Sequence, residues 1–515
     1  MACALYCRDA AAGGRFRKRF MVYSQVQEAT RAGNRLTSRS SWRLSWPLAV
    51  AAAGYALLLL LGQRLLNDPD TYWQIAIGDW MVAQHAVPHV DLWSYTMAGA
   101  PWISSQWLAQ VLFAQVYALA GWAGIVVVTA IAIAAAFGLL TRFLLERLAA
   151  TPALVMAAAG FVLASPHMAA RPHALALPVM VAWVAGLVRA LDARRAPSFA
   201  LLPLMTLWAN LHGGFTFGVA IIAPCALEAL WNAPRSERLG VLMRWSLFGV
   251  LALAAACVTP YGPESILVTA RILGLGQALA LINEWRPQDF ATFAGFELCL
   301  LLAIGVALYR GLTLPPIRLL VVLGLLHMAL AQSRNGELLG LLAPLFAAAP
   351  LAPQLGRREI ETESRGGHAL ANLVVMAVLA AASVALPPAL AYTPQARVTP
   401  VQAVAAVKAS GMKHILNSYD FGGYLIAAGV KPFIDGRTEL YGQSFFMRQH
   451  RALSLQDIDD FFRLLTQYQV DVTLLSPDTP AVGLLDRLAG WQRVYADKIA
   501  VVHVRTDATG EDRLR

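Results

Sequence analysis

Charge is scarce in this chain of 515 residues: Asp, Glu, Lys and Arg together make up 14% of it, against 58% hydrophobic residues. That scarcity excludes a soluble globular protein, which cannot bury so much apolar surface at this length, and implies a polytopic helical membrane protein. Cysteine is sparse too. Of Cys3, Cys7, Cys225, Cys257 and Cys299, three sit in apolar segments and none in the last quarter of the chain, so neither a disulfide framework nor a zinc ligand set can be drawn from the spacing. Residues 1–45 lack the apolar stretch and small-residue cleavage site of a signal peptide and read as a basic, disordered cytoplasmic tail. The absence of any repeat of about 20 to 50 residues excludes a solenoid. The net charge of +10 does not point to nucleic acid, because Arg is concentrated in the tail and in short connections, where membrane topology places it.

What is present is apolar sequence in runs. They lie near 46–62, 122–141, 152–165, 174–190, 198–209, 215–231, 245–258, 293–309, 314–331, 336–350 and 369–388, about eleven spans in all. Every second connection carries Arg: Arg142 and Arg147, then Arg189, Arg194 and Arg195, then Arg235, Arg238 and Arg244, then Arg310, then Arg357 and Arg358. Those connections are expected on the cytoplasmic side together with the N-terminus. The others are expected outside: the large first loop 63–121, Arg171-Pro172-His173, Asn210-Leu211-His212-Gly213-Gly214, Thr259-Pro260-Tyr261-Gly262, Asn283-Glu284-Trp285-Arg286 and Ser333-Arg334-Asn335. The stretch Trp107–Gly121 is too short for a span of about 20 residues and reads as an interfacial or re-entrant helix.

After about residue 391 hydrophobic density falls and short elements alternate, the pattern of a small α/β domain over 391–515. The periodicity predicts helices over 399–410, 421–429, 456–469 and 481–489, and strands over 413–417, 431–435, 470–475 and within 491–505. The span region is then 46–390, and the protein is placed in a cytoplasmic membrane with this domain outside.

Polar residues beside a membrane span are costly unless solvated or used, which singles out Asp68 and Asp70. Asp68 reads either as the N-cap of a helix starting near Pro69 or as a functional acid; Asp70 reads as a general base or as a ligand, with Asp68, of a divalent cation such as Mg or Mn. His89 and Asp91 are further candidates in the same loop. Arg171, Arg286 and Arg334 fall on the face where Arg is rarer, and a guanidinium there suits a lipid phosphate or, alternatively, an ion pair. His173 and His212 read as phosphate partners or as satisfied structural histidines, and Asn210 and Glu284 join them as polar candidates.

The run Asp70-Thr71-Tyr72-Trp73-Gln74 resembles the acidic residue and paired aromatics in the first outer loop of oligosaccharyltransferase catalytic subunits, which have the GT-C glycosyltransferase fold. Tyr419-Asp420-Phe421-Gly422 is similar to their W-W-D-Y-G acceptor signature, with Ser418 and Tyr419 where the two Trp would stand; no second acidic motif is matched. From about residue 46 the whole chain is similar to a family of bacterial multi-spanning GT-C-like proteins. The resemblance implies a polyprenyl-phosphate or pyrophosphate sugar donor, an envelope acceptor outside the membrane, Asp70 as the first-loop acid, and acceptor contacts from Tyr419 and Asp420. Asp435, Arg437 and Glu439 read as further acceptor contacts or as a turn with a solvated ion pair. A lipid-substrate transporter or flippase and a non-catalytic envelope scaffold are the rival readings.

Overall fold

The computed structural model describes residues 44–357, except 275, 277, 278, 280 and 281, and residues 366–506. All but the last two residues of the expected 1–45 tail lie outside that range. Two compact units are distinguished: Met1–Ser45 with Glu361–Ala377, and Trp46–Ile360 with Val378–Arg515. In the first, Ser45 N–H donates to Asn372 Oδ1 at 3.2 Å. Apart from the helix Leu370–Leu390, which the division crosses, all that follows concerns the second.

Among the described residues, seven helices are long and apolar enough to cross a membrane: Trp107–Leu145, Ala150–His167, Pro172–Asp192, Phe215–Asn232, Arg238–Ala256, Ser333–Leu355 and Leu370–Leu390. Three shorter apolar helices, Trp46–Leu60, Phe199–Leu211 and Pro316–Ala331, add to them. Length and composition therefore support a helical membrane protein, but do not carry the count of about eleven spans, since several apolar runs form helices too short to cross unaided. Large apolar side chains point outward, with Leu119 86% and Tyr309 89% exposed, as lipid solvation permits and water does not.

The hub is the helix Trp107–Leu145, against which Trp46–Leu60, Asp70–Gln84 and Pro172–Asp192 pack. It is two helices joined at Gly121, whose φ of 56° and ψ of −147° break the helical path. A residue with a Cβ is strained at that φ, so glycine marks the end of 107–120 as a separate segment.

Ionic residues gather at both ends of Pro172–Asp192, about 30 Å apart at 1.5 Å per residue. At the C-terminal end Arg318, nearly fully buried, binds Glu228 at 2.7 Å and Asp192 at 2.8 Å, Arg147 binds Asp192 at 2.8 Å, and Arg189 binds Glu146 at 3.0 Å. Arg147 and Arg189, from two of the Arg-rich connections, thus meet Arg318 at one end, and Arg171 lies at the other.

The C-terminal region holds a four-stranded sheet of order β1-β2-β4-β3, with β1 Ile415–Asn417, β2 Val472–Leu475, β3 Trp491–Ala496 and β4 Val501–Arg505. β1 and β2 run parallel; β2 with β4 and β4 with β3 run antiparallel. Helices Val401–Ala409, Gly422–Ala427 and Ile458–Gln467 fall within the segments expected to be helical, and Pro480–Leu485 begins one residue before the last of those segments. Two expectations are corrected. Residues 431–435 form no strand: Asn417 takes their polar backbone instead, accepting from Phe433 N–H and donating to Ile434 O, both at 2.8 Å. A further helix, Thr438–Leu453, is present, its pattern hidden by a break at Gly442 with φ 72°.

This region is not a free module. It rests on the first loop, with Gly422–Ala427 packed on Asp70–Gln84, Tyr72 edge-on to Tyr424 at 5.0 Å, and Gly423 against the Pro69 carbonyl. Beneath lies a fully buried network: Arg437 binds Asp435 at 2.7 Å and Asp91 at 2.6 Å, and Tyr441 O–H donates to Asp435 at 2.6 Å. A buried ion pair is fragile to loss of one partner, because the survivor keeps its desolvation cost. We expect Asp91→Ala to cost about 3 kcal/mol. The check is hydrogen exchange, in which Thr438–Leu453 should lose about 10²-fold protection while Pro172–Asp192 is unchanged.

Candidate active site

Three chain segments converge on one guanidinium. Arg171 precedes the helix Pro172–Asp192 in extended backbone, φ −121° and ψ 159°, the conformation that a following proline favours. Ala170 N–H donates to Leu65 O and Thr71 Oγ donates to Ala170 O, both at 2.8 Å, so the segment is stitched to the first loop. Arg171 Nε then faces Asp68 Oδ2, close in charge but off the donor axis, Nη1 pairs with Glu284 Oε2, and Nη2 lies 3.4 Å from Asp70 Oδ2. Glu284 arrives on the short turn Asn283–Trp285, which is tied to Ser333–Asn335 by Ser333 N–H donating to Arg286 O at 2.8 Å. Arg334, on that second turn, lies over the Trp285 ring at 4.5 Å and binds Glu284 Oε1 at 3.1 Å.

The remaining carboxylate oxygens are also engaged. Asp68 Oδ1 accepts Asp70 N–H at 2.8 Å at the start of the helix, while its other oxygen meets the arginine. Asp70 Oδ1 accepts the Trp73 indole N–H at 3.0 Å. Gly436 of the C-terminal region presses against Asp70 and Trp73 so closely that a Cβ there would overlap the Asp70 carboxylate.

Burial, reinforced by Asp68 and Glu284 and only partly offset by Arg171 and Trp73, pushes the Asp70 carboxyl up to about 7. Burial also opposes charge on Glu284, but Arg171 and Arg334 outweigh it and hold that acid at about 2. Two neighbouring acids are thus driven apart, one ready to take a proton near neutrality and one permanently charged. Burial keeps His212 well below its ordinary range, as do the charges of His173 and Arg334. Its Nδ1 accepts Gly214 N–H at 3.1 Å, leaving the other ring nitrogen to donate.

A cavity of about 1250 Å³ opens on this cluster. Asp68, Asp70, Arg171, His173, His212, Glu284, Arg286 and Arg334 line one side, and Tyr419, Asp420, Thr438 and Glu439 another. Trp102 indole N–H donates to Glu439 at 2.9 Å, and burial raises the carboxyls of both Glu439 and Asp420. Other candidates do not reach the cavity. Asp91, Asp435 and Arg437 are closed in their buried network, which replaces the solvated turn and the acceptor contact expected of the last two. Asn210 is saturated by Trp107, Thr206 and Val258, and His89 is exposed and edge-on to Tyr261.

Sequence reasoning named Trp73 only within the first-loop motif and missed Gly436 and Glu337. Glu337 is 6% exposed, lines the cavity, and has one oxygen without a hydrogen-bond partner, with His173 Nε2 at 3.6 Å. The signal that singled out Asp68, an acid at the end of an apolar run, was present for it as well. A divalent cation does not fit the arrangement. Among the described residues no group of three or more His, Cys, Asp or Glu is placed to hold a metal, and Arg171 stands where the acids Asp68, Asp70 and Glu284 converge.

No family model and no curated protein matches the sequence. Among solved structures, the chain is similar to the archaeal oligosaccharyltransferase AglB from Archaeoglobus fulgidus, in complex with an inhibitory peptide and a dolichol-phosphate. The TM-score is 0.55 at 11% identity, over 84% of this chain and 70% of that one. The fold is distantly similar to that of oligosaccharyltransferase catalytic subunits. Another structure of the Archaeoglobus fulgidus enzyme, in the apo form, gives a TM-score of 0.48 at 12% identity, over 85% of this chain and 70% of that one. Identity this low speaks for architecture alone.

Two outcomes test the site. An acid whose pKa lies above its ordinary 3.8 binds more protons in the folded than in the unfolded chain between about pH 4 and 7. Its favourable contribution to folding is therefore complete at about pH 4 and lost as pH rises through 7; Glu284 has the opposite sign, contributing above its ordinary 4.5 and losing that contribution as pH falls towards 2. Infrared difference spectra should show a carboxyl band that titrates near pH 7 in the wild type and is missing in Asp70→Asn. Gly436→Ala should move that titration by displacing the Asp70 carboxylate, while leaving the far ionic cluster at Arg318 intact.

Proposed function

We propose that this chain is a membrane glycosyltransferase that moves a sugar from a polyprenyl-phosphate or pyrophosphate donor to an acceptor hydroxyl or amide outside the cytoplasmic membrane. One observation carries the reading: a single cavity is walled on one side by Arg171, Glu284 and Arg334 from the membrane helices and on the other by Tyr419, Asp420 and Glu439, with Asp70 at the joint. The neighbour solved with dolichol-phosphate and a peptide supports it as an analogy of fold.

In this reading Asp70 takes the proton of the acceptor, whose freed electron pair bonds to the anomeric carbon. The carbon-oxygen bond to the lipid phosphate breaks, its electron pair leaves on the phosphate oxygen, and Arg171 with Arg334 and Arg286 meets the charge that develops there. Tyr419, Asp420 and Glu439 orient the acceptor, and His173 and His212 border the donor phosphate. An acid with a pKa near 7 is matched to proton removal at neutral pH, which an ordinary exposed carboxylate is not. The N-terminus and the Arg318 cluster face the cytoplasm and the C-terminal α/β region faces outward.

Purified protein in lipid nanodiscs, given a radiolabelled polyprenyl-linked sugar and an envelope extract as acceptor, should transfer label. Asp70→Asn should lower the rate about 10² to 10⁴-fold and remove a rising limb near pH 7 from the pH profile. Unchanged transfer by that variant removes Asp70 from its role, and donor binding without turnover in the wild type favours a flippase.

A further inference from the structure

The acids around Arg171 look at first like half of a metal site, and the arrangement of their oxygens argues against that. Six carboxylate oxygens belong to Asp68, Asp70 and Glu284, and each has a partner. Arg171 lies in ion-pair contact with one oxygen of every acid, through three different nitrogens. Asp70 N–H takes the second of Asp68 at 2.8 Å, Trp73 the second of Asp70 at 3.0 Å, and Arg334 the second of Glu284 at 3.1 Å. A divalent ion entering here has to expel a guanidinium from between three anions and strip oxygens of donors that the fold supplies from the first loop and the 333–335 turn.

We propose that Arg171 is the resident cation of this site, held in a carboxylate cage, and that the chain takes up no divalent metal there while this side chain is present. The proposal deepens the glycosyltransferase reading and rests on it for its catalytic part only. A guanidinium has five N–H donors. Nη1 donates to Glu284, Nε and Nη2 sit beside Asp68 and Asp70 as ion-pair contacts, and the side chain, 21% exposed, lines the cavity. The N–H groups of the terminal nitrogens that Glu284 does not take belong to the planar fork that suits two oxygens of one phosphate. The cage holds the fork in place before the ligand arrives, so that little reorganisation accompanies charge development on the leaving oxygen. Metal coordination would offer that oxygen a single charge centre; the fork adds direction. The cage and its counter-ion also explain why an arginine sits in so dense an acidic setting: removing it would leave three mutually repelling carboxylates, which is the composition of a site for a hard cation.

The experiment is manganese binding followed by electron paramagnetic resonance, on full-length chelator-treated protein in nanodiscs, with Mn²⁺ as the only added metal. Wild type is expected to leave the free-ion signal unchanged. Arg171→Ala is expected to gain one bound Mn²⁺ per chain, and that gain should vanish when Glu284→Gln is added. Arg171→Lys, which keeps a cation in the cage and guards against loss of folding in the alanine variant, should bind none. A bound ion in the wild type, or no gain in a folded Arg171→Ala, overturns the proposal. Sugar transfer gives the second reading: EDTA should leave the wild-type rate within twofold, whereas Arg171→Ala should lose about 10² to 10³-fold. Activity abolished by EDTA and restored by Mg²⁺ or Mn²⁺ also overturns it. If no transfer is found under any condition, the glycosyltransferase reading fails, and the manganese measurement still decides the cage.

Discussion

One partly buried guanidinium holds the candidate site of this molecule together. Arg171 is the point at which the first loop, the start of the helix Pro172–Asp192 and the turn at Glu284 are joined, and each contributes a charge that is unstable there without the others. In a medium of low polarity an isolated carboxylate or guanidinium would be neutralised or expelled. The three acids and the two arginines therefore fix one another, and the backbone bonds at Ala170 and Ser333 keep them from drifting. Pre-organisation of this kind is what charge stabilisation in a reaction requires, because dipoles and charges that are already in place need not move.

The second constraint is the seat of the C-terminal region. A hydrophobic seam of Tyr72, Trp73, Trp102 and Ile426 meets, at Trp102, buried charge at Asp91, Asp435 and Arg437, and the combination sets register where apolar contact alone would allow sliding. Its consequence is chemical. Gly436 lies on Asp70, which buries that acid and raises its pKa, so the docking surface and the acid with the raised pKa are one structure. Any motion that lifts the C-terminal region would let water reach Asp70 and return it towards an ordinary carboxylate.

Much of this was readable in the residues. A chain with so few charges and so many apolar runs has to place its backbone in helices and its polar groups at their ends, and for that reason Asp68, Asp70, Arg171, Glu284 and Arg334 stood out before any coordinates. The helix periodicity of the C-terminal region placed most of its elements. It failed at 431–435, where a side-chain amide, Asn417, stands in for a neighbouring strand, and at Thr438–Leu453, where Gly442 interrupts the pattern. Neither substitution leaves a mark in local hydrophobicity.

The sequence by itself determined the class of protein, the two polar ends and the candidate list, because burial and charge placement follow from local composition and run length. Only the tertiary structure decided which candidates meet. Asp91, Asp435 and Arg437 look like a solvated turn and a loop acid until folding closes them into one buried network, and Asp68 and Glu284, 216 positions apart, become neighbours only through Arg171. The pKa of Asp70 is likewise a property of the packed state. It depends on Gly436, Trp73 and Arg171 arriving from distant parts of the chain, and contacts between such distant segments are set by the global fold and not by any local pattern.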